Sequence, residues 1–261
     1  MTDEHRVINR TFEPVDLEPL LAACGVTATV LVQSASEDRD TDYLFERIDG
    51  VSWVGAVTAW CRLDDPATAR ARLDALAAHP KFRAIRHLIH MEADPHWVLR
   101  VEVQPALALL EERGLLLELP VVFPDHLGDV PELARRYPAL QLVVDHLGKP
   151  PIGTAAMFSW QEQLERAAEC PNVFAKVSGL NTVVASAEWD AADLEPAVRV
   201  ALGAFGAERL LFGSDWPVAL LNGSYERVVR ETTSAIRSVA GDAADAILGG
   251  NALRLYAIDV P

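Results

Sequence analysis

Seven short apolar runs, each about strand length and each starting roughly 25 to 37 residues after the one before, constrain the fold more than any other feature. They are read as strands over 27–33, 52–60, 83–89, 115–119, 140–146, 173–178 and 209–215. The segments between them have a helical period, as in 65–78, where Ala71, Leu73 and Leu76 fall on or near one face, and in 157–168. A spacing of this size is that of a βα unit, and the runs are too apolar for a sheet with one wet face. With no Ser/Gly-rich linker between them, residues 1–261 are read as one domain. The expected class is α/β, a TIM-type (β/α) barrel, in which seven strands rather than the usual eight are legible.

Composition narrows the partners. Half of the 261 residues are apolar, enough for one large core. A net charge of −15 argues against nucleic acid, because no basic stripe is available to displace counterions from a phosphate backbone. Cys24, Cys61 and Cys170 are odd in number and far apart, which suggests neither a disulfide framework nor a paired-cysteine metal site and fits a reduced, cytoplasmic setting. No stretch reaches the roughly 18 apolar residues of a membrane span, so no membrane partner is expected.

Polar groups gather where the apolar runs end. Gln33, Trp60, the Arg86-His87 pair, Glu118, Asp145-His146, Lys176, Ser178 and Asp215 follow one another strand by strand. In a parallel barrel all these ends share one rim, where catalytic side chains sit. Asp215 is the most pointed of them: Leu211-Phe212-Gly213-Ser214 runs straight into a carboxylate, and Trp216-Pro217 then stops the strand. An Asp near a Pro also caps turns, so a purely local role stays open. His146 ends the apolar run Val143-Val144 and is followed by Gly148 and Pro150, which turn the chain over it. Successive strand residues face opposite sides, so only one of Arg86 and His87 can point inward. Trp60 and Trp216 could floor a sugar-ring pocket, while His90 and His126 read as solvated loop residues. No dinucleotide fingerprint, phosphate loop or serine-hydrolase elbow is present.

The segments Ile85-Arg86-His87, Asp145-His146-Leu147-Gly148-Lys149-Pro150, Lys176-Val177-Ser178-Gly179-Leu180, Phe212-Gly213-Ser214-Asp215-Trp216-Pro217 and Gly249-Gly250-Asn251-Ala252 occur in an order that resembles the lactonase branch of the amidohydrolase superfamily. The resemblance runs from about Phe12 to Tyr256. It implies a TIM-barrel hydrolase that opens small lactones, sugar lactones foremost, with Asp215 as the base for water and His146 as its partner. Arg86 and His87 would contact carbonyl or acid groups, and Gln33, Trp60, Glu118, Lys176 and Trp216 would line the substrate site. It also implies a first strand carrying a His-x-His pair, which is not legible here. The expectation is therefore a barrel missing that strand, either because the chain starts late or is truncated or because it is a variant that does without it, with the two open edges paired to residues 5–10 or covered by a second subunit in a homodimer.

A divalent metal such as zinc needs three protein ligands with one position open. The chain offers His146 and Asp215, with Glu118 as a third candidate, so the metal site reads as incomplete and the cofactor as one such ion or none. Lactone hydrolysis survives without it, given a base for water and a cation for the oxyanion. Two rivals remain: decarboxylation of a small acid on the same scaffold, and a catalytically silent member that only binds small molecules.

Overall fold

A computed structural model describes residues 6–259. Its centre is a sheet of seven strands hydrogen-bonded in sequence order: β1 (Thr29–Val32), β2 (Val54–Ala59), β3 (Phe82–Arg86), β4 (Leu116–Leu119), β5 (Gln141–Val144), β6 (Val173–Val177) and β7 (Leu210–Phe212). Every neighbouring pair is parallel. The crossovers contain, in order, α2 (Asp38–Arg47), α3 (Pro66–Leu76), α4 (Gln104–Glu112), α5 (Val130–Arg136), α6 (Met157–Ala168) and α7 (Ala191–Phe205). α1 (Pro14–Cys24) precedes the sheet, and α8 (Tyr225–Ala240) and α9 (Asn251–Leu255) follow it. The seven expected strands all form within a few residues of the expected bounds; β3 begins one residue earlier than expected, and the others are trimmed at one or both ends.

Local chemistry sets the helix starts. Asp65 accepts the Thr68 amide at 3.1 Å with Pro66 next in line, Asp190 and Asp193 form a reciprocal capping box, and Ser224 accepts the Arg227 amide at 3.2 Å. Among the described residues no helix is long and apolar enough to cross a membrane.

The apolar side chains divide into two layers by strand parity. Ile85, Leu117, Leu119, Leu142, Val144, Ala175, Val177 and Leu210 pack outward against the helices in one large cluster. Val30, Ala56, Ala84, Leu116, Val143, Phe174 and Leu211, one from each strand, meet in a second cluster with Tyr256 and Ile258. All seven strands can reach one cluster only if the sheet curls around it, so the architecture is a TIM-like half-barrel whose floor is closed by the C-terminal segment.

The curl stops short of closure. Among the described residues β7 and β1 are not paired with each other, and all four residues of β1 are only half-buried. Residues 6–10 form no strand, so the expected pairing of that segment with an edge is not observed; residue 5 lies outside the described residues. α1 lies near the β7 edge: its Leu17 and Leu21 pack on Tyr225 and Val229 of α8, with Trp53, Phe212 and Trp216 at the margin.

Candidate active site

Continuing inward parity past the apolar floor, Thr58, Arg86, Glu118, Asp145 and Lys176 are the next residues up on β2 to β6 and their ends. They form one connected network. Arg86 Nη1 lies 3.0 Å from Asp145 Oδ2, and Lys176 bridges Asp145 and Glu118. The Lys176 contact with Asp145 Oδ1, at 2.9 Å, lies off a hydrogen-bonding direction and is chiefly Coulombic. Glu118 Oε1 accepts from Thr58 Oγ1 at 2.6 Å and from Tyr256 Oη at 2.7 Å.

Two cations thus face two carboxyls inside the barrel, and the accessibility is uneven. The side chains of Arg86 and Lys176 remain 14% and 12% exposed, whereas Asp145 and Glu118 are at 1% and 0%. A ligand entering from the rim meets positive charge, with the compensating anions hidden beneath. Burial by itself would raise the Asp145 pKa, but Lys176 and Arg86 outweigh it and hold the carboxyl well below the usual carboxylate range. Burial likewise opposes the charge on Lys176, and Asp145 and Glu118 more than offset it, so the ammonium is held above its ordinary pKa. The chain has only three lysines, Lys81, Lys149 and Lys176, against many more arginines, and one of them is placed here.

Above this floor stand His146 and Asp215. His146 Nε2 lies 3.7 Å from Asp215 Oδ1, and its Nδ1 lies 2.8 Å from Ser178 Oγ. A Ser178 hydroxyl donating to Nδ1 leaves Nε2–H turned toward the Asp215 carboxylate, the tautomer that avoids opposing lone pairs. A separation of 3.7 Å is longer than a hydrogen bond, so both groups are free to address a third molecule.

Both residues occupy the left-handed backbone region, with φ of 54° at His146 and 56° at Asp215. The region is costly for non-glycine residues and concentrates at functional sites. At His146 the whole turn is left-handed: Leu147, Gly148 and Lys149 follow at φ 51°, 71° and 56°. Its carbonyls are tied down by Phe123 N to Gly148 O at 2.9 Å and Trp160 Nε1 to Leu147 O at 2.8 Å, and the Leu147 side chain is buried. Gly179 closes the site from below. A methyl there would stand 2.8 Å from Asp215 Oδ2 and 2.9 Å from His146 Nδ1, so only glycine lets the β6 end pass the pair.

The amidohydrolase family model matches residues 1–258. This chain belongs to the amidohydrolase family. It is 39% identical over 258 residues to an L-fucono-1,5-lactonase of Burkholderia ambifaria, covering 97% of this chain and 88% of that protein. An L-fucono-1,5-lactonase of Burkholderia multivorans is 33% identical, covering 98% and 89%. The crystal structure of a Burkholderia multivorans amidohydrolase with bound zinc superposes with a TM-score of 0.91 at 31% identity, covering 99% of this chain and 93% of that one.

The described donors of this amidohydrolase do not fit a zinc site. No group of three or more His, Cys, Asp or Glu side chains is placed to hold a metal ion among the described residues. His146 and Asp215 supply two, and Glu118, the third candidate, already accepts from Thr58, Tyr256 and Lys176.

Several sequence-predicted roles in this amidohydrolase are displaced by the packing. Arg86, His146, Lys176 and Asp215 all lie at the strand ends on the inner side of the sheet, each partly exposed. His87 does not: its Nδ1 accepts from Trp60 Nε1 at 3.0 Å, its Nε2 donates to Glu92 Oε1 at 2.7 Å, and its ring stacks on Trp97 at 4.0 Å. It follows Arg86 on the strand and faces the other side, where burial lowers its pKa below the ordinary value. Trp60 is buried with its N–H donated to His87, which removes it from any sugar-stacking surface. Gln33 and Glu118 are fully buried and cannot touch substrate; Gln33 Nε2 donates to the main-chain carbonyl of Arg86 at 2.9 Å, and the main-chain carbonyl of Gln33 accepts from Arg86 Nη2, so it is the backbone at Gln33 that holds the guanidinium. Trp216 is half-buried with the edge of Phe12 at 4.9 Å. His126 is buried with Nδ1 on the Val122 carbonyl, contrary to the solvated reading, whereas His90 is exposed as expected. The sequence analysis assigns no site role to Thr58, Tyr256 or Gly179. Thr58 left a signal as the one polar residue inside an apolar strand, whereas nothing local marks Tyr256.

Proposed function

We propose that this amidohydrolase opens a small lactone, of the fucono-1,5-lactone type borne by its curated relatives' names, using water activated by Asp215. The observation that carries the reading is the His146–Asp215 pair, left unbonded at 3.7 Å, standing over a floor whose accessible charges are both positive.

Water attacks the lactone carbonyl carbon while Asp215 takes its proton, and the carbonyl electron pair moves onto oxygen. Arg86 and Lys176 face that oxygen and stabilise the charge as it develops. His146, oriented by Ser178, directs its N–H toward Asp215 and the attacking water. Collapse of the tetrahedral adduct breaks the carbon–ring-oxygen bond, the proton held by Asp215 passes to that oxygen, and a hydroxy acid leaves.

The test is a panel of aldono-1,4- and 1,5-lactones followed by acid release, with and without a chelator, on the wild type and on Asp215→Asn. Wild-type turnover on a sugar 1,5-lactone that collapses in the variant supports the reading. A wild type inert on the whole panel, or an Asp215→Asn protein of unchanged rate, overturns it.

A further inference from the structure

The C-terminal segment does more than close the barrel floor. Past α9 the chain turns beneath the sheet, where Arg83 Nε donates to the Tyr256 carbonyl at 2.9 Å and the Ile258 amide donates to Leu253 O at 2.9 Å. Ile258 fills the space a side chain at Gly55 would need, since a Cβ there would lie 2.4 Å from Ile258 Cγ2. The Tyr256 ring packs in the inner cluster, where β2 and β3 contribute only Ala56 and Ala84, small side chains that leave room for it. Its hydroxyl therefore points along the barrel axis into the polar layer and ends on Glu118 Oε1 at 2.7 Å. Burial, reinforced by Glu118, pushes that phenol well above its ordinary pKa, so it remains a donor.

Glu118 is thus shared. Oε1 receives two neutral hydroxyls, from Tyr256 and Thr58, and Oε2 receives the Lys176 ammonium. Each hydroxyl on Oε1 offsets part of the carboxyl's pull on the lysine. We propose that Tyr256 is a positioning residue for the reaction: by donating to Glu118 it keeps Lys176 from being drawn fully into the floor, leaving the ammonium available to the substrate carbonyl. The role assigned to Lys176 rests on the lactonase reading above; the coupling of Tyr256 to Lys176 through Glu118 does not. The segment that tunes the electrophile is then one that no strand-end motif contains.

The experiment joins two readouts on Tyr256→Phe. With only three lysines, isotope-labelled lysine ammonium resonances can be assigned by their loss in Lys176→Arg, and Tyr256→Phe is expected to move the Lys176 resonance while Lys81 and Lys149 stay in place. On a lactone the wild type opens, kcat is expected to fall about tenfold with KM within about twofold, the pattern of an interaction felt in the transition state. In a Glu118→Gln background the same substitution is expected to cost roughly twofold or less, because the charge it modulates is gone. Thr58→Val removes the other hydroxyl from the same oxygen and should move both readouts in the same direction, so the test stands even if Tyr256→Phe fails to fold. An unmoved Lys176 resonance, or a kcat loss as large in the Glu118→Gln background as in the wild type, overturns the proposal. A wild type inert on all lactones sinks the lactonase reading instead, and the resonance alone then decides the coupling.

Discussion

Gly179→Ala isolates the geometry of the pair from everything else in the barrel. The new methyl would lie 2.8 Å from Asp215 Oδ2 and 2.9 Å from His146 Nδ1, where ordinary contact begins near 3.4 Å, so it is short by about 0.6 Å and 0.5 Å on the two sides. Neither neighbour is the free end of a flexible chain: His146 is held by Ser178 in a left-handed turn, and Asp215 is a short side chain at a left-handed residue. Relief must come from moving one or both by about half an ångström. A misplacement of about 1 Å can cost about a hundredfold in rate, so a loss of about ten- to a hundredfold is expected. The backbone adds its own term, because φ at Gly179 is 62° and an alanine there is strained by about 1–2 kcal/mol, offset in part by about 0.4–1 kcal/mol from the stiffer unfolded chain. Gly25→Ala is the control: its φ is 67°, but a Cβ there meets nothing within 4 Å. Both variants should melt slightly below wild type by circular dichroism, and only Gly179→Ala should lose lactone turnover. Activity within about twofold of wild type in folded Gly179→Ala would refute the claim that the pair's spacing governs the reaction.

Asp215→Asn, which keeps shape and removes basicity, should lower turnover by about two to four orders of magnitude with a nearly unchanged melting curve, measured by acid release and calorimetry. Asp145→Asn leaves Arg86 and Lys176 short of one counter-ion in a buried layer and should cost about 3–5 kcal/mol by urea titration; a loss under about 1 kcal/mol would show the network to be dispensable. His87 is neutral in the fold with its pKa lowered from 6.5 by burial, so the unfolded chain binds its proton first and stability falls as pH drops through that ordinary value. His87→Gln should flatten this part of the melting profile below pH 6.5, and an unchanged slope would remove His87 as its source.

Strand parity explains most of what the sequence did and did not disclose. The repeating apolar runs are a local property, and all seven appeared in place; 209–215 overreached because Gly213 and Ser214 belong to the turn that throws Asp215 into a left-handed conformation. Asp215 and His146 stand out in the sequence because each is a polar residue ending an apolar strand, and the fold places them 3.7 Å apart. Arg86-His87 was half legible: one had to face out, and only the tertiary packing of Trp60, Glu92 and Trp97 shows which. Gln33 and Glu118 were found as polar but assigned to substrate, because sequence does not report how deep along a strand a side chain is covered. Tyr256 lies 138 residues from the carboxyl it serves, a separation no periodicity spans.

The left-handed turn at residues 146–149 has a consequence for how the enzyme loses activity. Three of its four residues are not glycine, each disfavoured there by roughly 1–2 kcal/mol, so the segment cannot hold its shape alone. What holds it comes from elsewhere: Phe123 in the loop after β4, Trp160 on α6, and the cover over Leu147. Local opening of either neighbour would let the turn relax to ordinary right-handed or extended backbone and carry the imidazole away from Asp215 while the parallel sheet stays intact. Under mild denaturation turnover should therefore fade before far-ultraviolet ellipticity does, and in refolding it should return after it, making catalysis the more sensitive reporter of whether the loop after β4 and α6 are docked.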